Sequence, residues 1–195
     1  MDIYEEYKKK LVSPEEAVRI VKSGDWVDYC QACSFPEALD EALAARRDEL
    51  TDVKVRNAIA MKPIQVVEQD PEQKAFTYNV WHSSGLDRKY IDKGLAFYSP
   101  MLFRDCGSYY ARGYAPVNVA MIAVSPMDKH GYFNLSGECA GPILDHDIAV
   151  YAESYQEVGA GLIPTGKLIP VDGTGYDLRK LTLFSDALKK VPEGF

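Results

Sequence analysis

Apolar residues along the chain follow two rhythms, one of three to four residues and one of short unbroken runs. The first appears in "SPEEAVRIVKSGDWV". Ser13 suits a helix cap, Pro14 the first helical position and Glu16 a capping box, while Ala17, Val18, Ile20 and Val21 form a stripe and Gly24 a stop. "SFPEALDEALAARRDEL" repeats the logic, with Ser34, Pro36 and Glu37 at its start and Leu39, Ala42 and Leu43 facing inward. The second rhythm predicts strands at 26–32, 52–60, 75–82, 119–125 and 147–154, with a helical or loop stretch at 87–94. Short apolar strands separated by helices predict an α/β fold, a largely parallel sheet with flanking helices. Ligands of such sheets bind beyond the carboxyl ends of the strands. From about residue 159 the rhythm fades into glycine and proline, in "GAGLIPTGKLIPVDGTGYDLRK".

Composition narrows the class of function. The 195 residues suffice for one domain with a sizeable core, and 22 Lys and Arg against 29 Asp and Glu leave a net charge of −7. That balance argues against nucleic acid or an anionic membrane as a partner, since phosphate binding requires a basic face. No apolar run approaches the roughly 20 residues needed to cross a bilayer, and "MDIYEEYKKK" lacks the apolar centre of a signal peptide. A cytoplasmic location is expected, and in that setting the four cysteines read as reduced thiols.

Most candidate chemistry weakens when its spacing is weighed. Cys30 and Cys33 form a C-x-x-C, but no second pair or spaced histidines complete a zinc site, so no metal is expected. His82, His130 and His146 lack a nucleophile at diagnostic spacing. "GAGLIPTG" fits no phosphate-loop pattern. What stands out is "SPMDKHGYFNLSG", directly after the apolar run "VAMIAVS", which places an acid, a base, a histidine and a glycine at the carboxyl end of a predicted strand. A tight turn with a return strand at 132–136 explains it without any function; the border of a site is the alternative.

"VSPMDKHGYFNLSG" is similar to a V-S-P-x-D-x-x-G-[YF] stretch of the acetyl-CoA hydrolase/transferase family, which includes 4-hydroxybutyrate and butyryl-CoA:acetate CoA-transferases. "SPEEAVRIVKSGDWV", "FPEALDEALAARRDELTDVKV" and "WHSSGLDRKYIDKGLAFYSPMLF" resemble further stretches of that family in the same order. The resemblance implies a CoA-transferase-like N-terminal α/β domain over residues 1–137, with 138–195 a diverged continuation or tail. It implies acyl-CoA and small carboxylates as substrates, coenzyme A being a substrate and no separate cofactor being required. It also implies a glutamate nucleophile carried by a second domain or subunit, so that no catalytic residue is assigned here; Glu138 is not given that role. Gln31 and Cys33 are the candidates to line a carboxylate pocket, with Ser125, Asp128 and Gly131 shaping the turn that borders it. Turn or core packing is the alternative for each. Association with a second domain or subunit, or with further copies, is expected of such a half. The alternatives left open are a subunit of a heteromeric CoA-transferase and a non-catalytic CoA-binding or assembly module.

Overall fold

Eight strands, all parallel, build the main sheet of the computed structural model, in the order β1-β10-β8-β6-β2-β3-β4-β5. They are β1 (Leu11–Val12), β2 (Trp26–Tyr29), β3 (Val53–Asn57), β4 (Phe76–Val80), β5 (Phe97–Tyr98), β6 (Val119–Val124), β8 (Ala149–Tyr155) and β10 (Leu183–Ala187). β7 (Tyr132–Phe133) and β9 (Tyr176–Asp177) form a separate antiparallel pair. The helices are α1 (Ile3–Lys10), α2 (Pro14–Ala17), α3 (Glu37–Ala44), α4 (Gln65–Glu68), α5 (Gly85–Asp92) and α6 (Cys106–Ala111). The structure describes residues 3–124, 127, 129–130, 132–133, 149–155, 176–177 and 183–187.

The apolar runs become strands because the sheet is covered on both sides. Every residue of β6 is buried, and β6 lies between β2 and β8. On one face Val27, Val55, Tyr78 and Val119 meet Leu39 and Leu43 of α3, Val66 and Val67 of α4 and Tyr90 of α5 in one apolar cluster. Burying each of those leucines contributes about 1.5–3 kcal/mol. The polar groups left inside are matched. Asp40 accepts from Tyr29 Oη at 3.0 Å and from the amides of Gln65 at 2.6 Å and Val66 at 3.3 Å, so that α3 anchors the start of α4. Asp87 accepts from Tyr78 Oη at 2.9 Å, Ala60 N at 2.9 Å and Ser84 N at 2.8 Å. The last of these is half of a capping box with Ser84, which makes 85–92 a helix where the sequence left helix or loop open.

Two helices differ from the sequence expectation. Ser13 does cap, accepting from Glu16 N at 3.2 Å, but after Ala17 the chain tightens into a 3-10 turn over Val18–Ile20. That tighter winding leaves Val18 and Val21 buried and turns Ile20 to the surface. Ser34 does not begin the second helix. It ends a 3-10 turn, Ala32–Ser34, in which its amide donates to Gln31 O at 3.0 Å, and α3 starts only at Glu37 with Pro36 as an N-cap that offers no side-chain acceptor.

Candidate functional site at the carboxyl edge of the sheet

The strand order reverses at β2, which has β3 on one side and β6 on the other. Chains leaving the two sides of such a point diverge and open a crevice. Here Cys30 N still donates to Met121 O at 3.0 Å, extending the β2–β6 pairing, whereas Ala32 N donates to Ala58 O at 3.3 Å. The chain therefore swings from the β6 side to the β3 side within two residues, and Gln31 is the residue between. The swing requires Ala32 to take φ of 47°, and in the next loop Ile59 takes φ of 58°. Left-handed backbone at a β-branched residue costs on the order of 1–3 kcal/mol and persists only where its surroundings fix it. Those surroundings are a set of stitches between adjacent strand ends: Ile59 N to His82 O at 2.7 Å, Trp81 N to Asn57 O at 3.0 Å and Met101 N to Trp81 O at 3.2 Å.

These loops and α6 enclose a cavity of about 160 Å³. Of its lining residues Ala58, Trp81 and Cys106 are buried, while His82 and Phe103 are exposed. Gln31, Ile59 and Met101, each half-buried, complete the lining.

Behind the cavity lies a charged cluster. Asp28 and Arg56 are register partners on β2 and β3, and both are buried. Arg56 Nη1 donates to both Asp28 oxygens, at 3.0 and 2.9 Å, and Nη1 and Nη2 each donate to Pro116 O at 3.2 Å. Tyr110 of α6 donates its hydroxyl to Asp28 Oδ2. Among the described residues Arg56 Nε has no hydrogen-bond partner; the guanidinium carbon lies 4.4 Å from the Trp26 ring centroid and 4.7 Å from that of Trp81. Burial pushes the Asp28 carboxyl above its ordinary range, and Arg56 and Tyr110 pull it back only in part. Burial and the Asp28 charge hold the Tyr110 phenol far above its usual range, so it remains a fixed donor. The cluster fastens α6 and Trp81 to the sheet, and with them the walls of the cavity.

Of the residues singled out from sequence, Gln31 lines the cavity. Cys33 lies in the 3-10 turn that follows, with nothing described of its side chain. Ser125, Asp128 and Gly131 lie outside the described residues, as do Glu138, Cys139 and His146. Lys129 and His130, within the same stretch, are exposed in a turn. Cys30 and Cys106 are buried thiols outside any disulfide. Among the described residues no group of three metal-ligating side chains gathers, and no helix is long and apolar enough to cross a membrane. Sequence reasoning missed Ala58, Ile59, Trp81, Met101, Phe103 and Cys106 as one wall. The available signal was indirect: a charged residue inside each of two apolar strands, Asp28 and Arg56, marks a buried pair and hence a side of the sheet that is not plain core.

Comparison with known proteins separates two stretches of the chain. Residues 1–143 match the family model described as acetyl-CoA hydrolase/transferase N-terminal domain. Butyryl-CoA:acetate CoA-transferase of Anaerostipes caccae is 42% identical over 146 residues, covering 75% of this chain and 32% of the relative. Succinyl-CoA:cyclohexane-1-carboxylate CoA transferase of Geobacter metallireducens is 39% identical over 132 residues, 67% of this chain and 29% of the relative. The chain thus spans about a third of the length of these curated relatives. The crystal structure of RipA from Yersinia pestis superposes with a TM-score of 0.79 at 21% identity, over 98% of this chain and 45% of that one, a likeness of fold. Residues 128–195 match a second family model, aldose 1-epimerase. Human galactose mutarotase is 46% identical over 54 residues, 28% of this chain and 16% of the relative.

Proposed function

The chain belongs to the acetyl-CoA hydrolase/transferase family through its N-terminal domain, and from that premise we propose that residues 1–143 form the substrate-binding half of an acyl-CoA:carboxylate CoA-transferase. The family match over 1–143 carries this reading, and the cavity at the carboxyl edge of the sheet supports it. In the reaction, a glutamate carboxylate supplied from outside these residues attacks the thioester carbonyl and expels CoA as thiolate, leaving an acyl-glutamyl anhydride. The thiolate then attacks the glutamyl carbonyl, releases the first carboxylate and forms a glutamyl-CoA thioester. The acceptor carboxylate reverses both steps, which gives ping-pong order.

In this reading the Gln31 amide donates to a substrate carboxylate or thioester oxygen. Cys33 is proposed to line the same carboxylate pocket, and Ser125, Asp128 and Gly131 to shape the turn that borders it. The partner that supplies the glutamate, a second domain or subunit, covers the band of exposed Phe97, Leu102, Phe103 and Tyr114. Homo-oligomerisation is part of the proposal. Residues 128–195 receive no sugar chemistry here. β8 and β10, both within that stretch, pair in parallel with β6 and β1, which supports a role in completing the sheet.

The test is complementation. The chain is mixed with the separately produced remainder of the Anaerostipes caccae relative, and CoA transfer from butyryl-CoA to acetate is followed. Transfer in the mixture and in neither half alone is expected. Absence of transfer with a folded complement overturns the proposal. A CoA adduct on a glutamate of this chain alone, seen by intact mass, overturns the placement of the nucleophile.

A further inference from the structure

We infer that a second cavity, separate from the one at the carboxyl edge, is a binding site for an adenine base. The inference does not rest on the transferase reading. This cavity holds about 400 Å³, within the range of small-molecule sites, and its lining includes the register partners Arg56 and Asn79 of β3 and β4. Trp26, Trp81, Tyr109 and Tyr114 supply aromatic walls. The Tyr109 ring is edge-on to both Trp81, with centroids 6.4 Å apart, and Tyr114, at 5.8 Å. Trp81 is buried, whereas Tyr109 and Tyr114 are exposed, so ring surface remains for a flat ligand to cover.

Charge removes most other ligands. Arg56 is the one charged residue in the lining among the described residues, and Asp28 neutralises it. No cation is left over for a phosphate or a carboxylate. An ammonium group, which such rings would otherwise suit, meets the guanidinium already stacked there. A flat, uncharged group fits. Its polar edge is set by Asn79, whose amide donates to Ser99 Oγ at 2.9 Å and so keeps one N–H and its carbonyl oxygen for a ligand. An adenine edge answers both, with an amino donor beside a ring-nitrogen acceptor. Arg56 favours adenine over guanine. Its Nε has no partner among the described residues, so that wall calls for acceptors, and the ring nitrogens of adenine are acceptors where guanine carries an N–H. The base can belong to a free adenine nucleoside or nucleotide, or to coenzyme A.

The test uses the full chain, labelled with nitrogen-15 and titrated without a partner, since the partner assigned above would also cover Tyr114. The probes are adenosine, purine riboside (adenosine without its amino group), adenosine monophosphate, coenzyme A and pantetheine. The Asn79 side-chain amide and the indole N–H signals of Trp26 and Trp81 are the readout. Adenosine should shift them saturably, and purine riboside should bind about fivefold more weakly for want of one hydrogen bond. Asn79→Ala should erase that difference. Tyr114→Ala, at an exposed residue, should weaken adenosine about tenfold through lost stacking. Adenosine monophosphate should bind no tighter than adenosine. Coenzyme A tighter than adenosine, with pantetheine silent, assigns the base to coenzyme A; coenzyme A no tighter assigns it to a free adenine compound. Unmoved signals with adenosine, equal binding of adenosine and purine riboside, a marked gain from the monophosphate, or indifference to both substitutions overturns the inference. None of these outcomes depends on complementation, so the transferase reading stands or falls apart from them.

Discussion

The two faces of the central sheet are built to different standards of completeness. On the face carrying Val27, Val55 and Tyr78, apolar side chains meet three helices, and the buried carboxylates Asp40 and Asp87 each accept three hydrogen bonds. On the opposite face the row Asp28, Arg56, Asn79 places a charged pair in the middle of the sheet. Among the described residues it is covered by α6 and its flanking loops, which leave Phe97, Leu102, Phe103 and Tyr114 exposed. Both faces have buried acids, but the first holds them with backbone amides and tyrosines. The second holds Asp28 with one arginine and one tyrosine hydroxyl, Arg56 and Tyr110. The lesson is that stability and binding are divided between faces: the first keeps the chain folded, and the second keeps a cavity open at its edge.

The sharpest way to break this comparison is at the charged pair. Asp28→Ala leaves the Arg56 guanidinium buried without its carboxylate, and should cost about 3–5 kcal/mol in urea unfolding. A loss below about 1 kcal/mol would mean that the second face does not hold the walls of the cavity. Next in size is a matched pair of truncations. Leu39→Ala, within the closed face, should cost about 2–5 kcal/mol, and Phe103→Ala, on the open face, less than about 0.5 kcal/mol. Comparable losses for the two would erase the distinction.

Smaller effects sharpen it further. Ala32→Gly relieves the left-handed backbone beside Gln31 and should stabilise by about 0.5–1 kcal/mol, read as a higher urea midpoint. A drop would show that the Ala32 methyl, not the backbone angle, matters there. The smallest effect is the pH dependence of Asp28. Its folded-state pKa is raised by burial, so protons bind the folded state more tightly than the unfolded one. The stability linked to this group is fully present below the ordinary carboxylate pKa and is lost as pH rises through the raised value. Relative to Asp28→Asn, the wild-type midpoint should therefore fall across that window. A gap that stays constant with pH would assign Asp28 an unshifted pKa.

Much of the closed face was legible in the sequence. Val53–Asn57, Phe76–Val80 and Val119–Val124 read as strands because burial on both sides demands unbroken apolar runs. Leu39 and Leu43 read as inward-facing because a helix packed on one side repeats its apolar residues at fixed spacing. The two-residue strands Leu11–Val12 and Phe97–Tyr98 are too short to carry a period, and Phe97 and Tyr98 are exposed besides. The cavity was less legible still. Only Gln31 was named, from its place at a strand end, while Trp81, Met101 and Cys106 converge from separate loops and α6. No local pattern announces that three distant stretches share one wall. Nor does spacing reveal that Ala32 and Ile59 adopt a backbone usually left to glycine.

The guanidinium stacked between two indoles has an optical consequence. The chain contains two tryptophans, Trp26 and Trp81, and both stand against Arg56. Its indole emission therefore originates at a single locus, and Trp81 also belongs to the cavity wall. A change in emission on adding a carboxylate reports that place without any label, and the closed face contributes no indole to blur the signal.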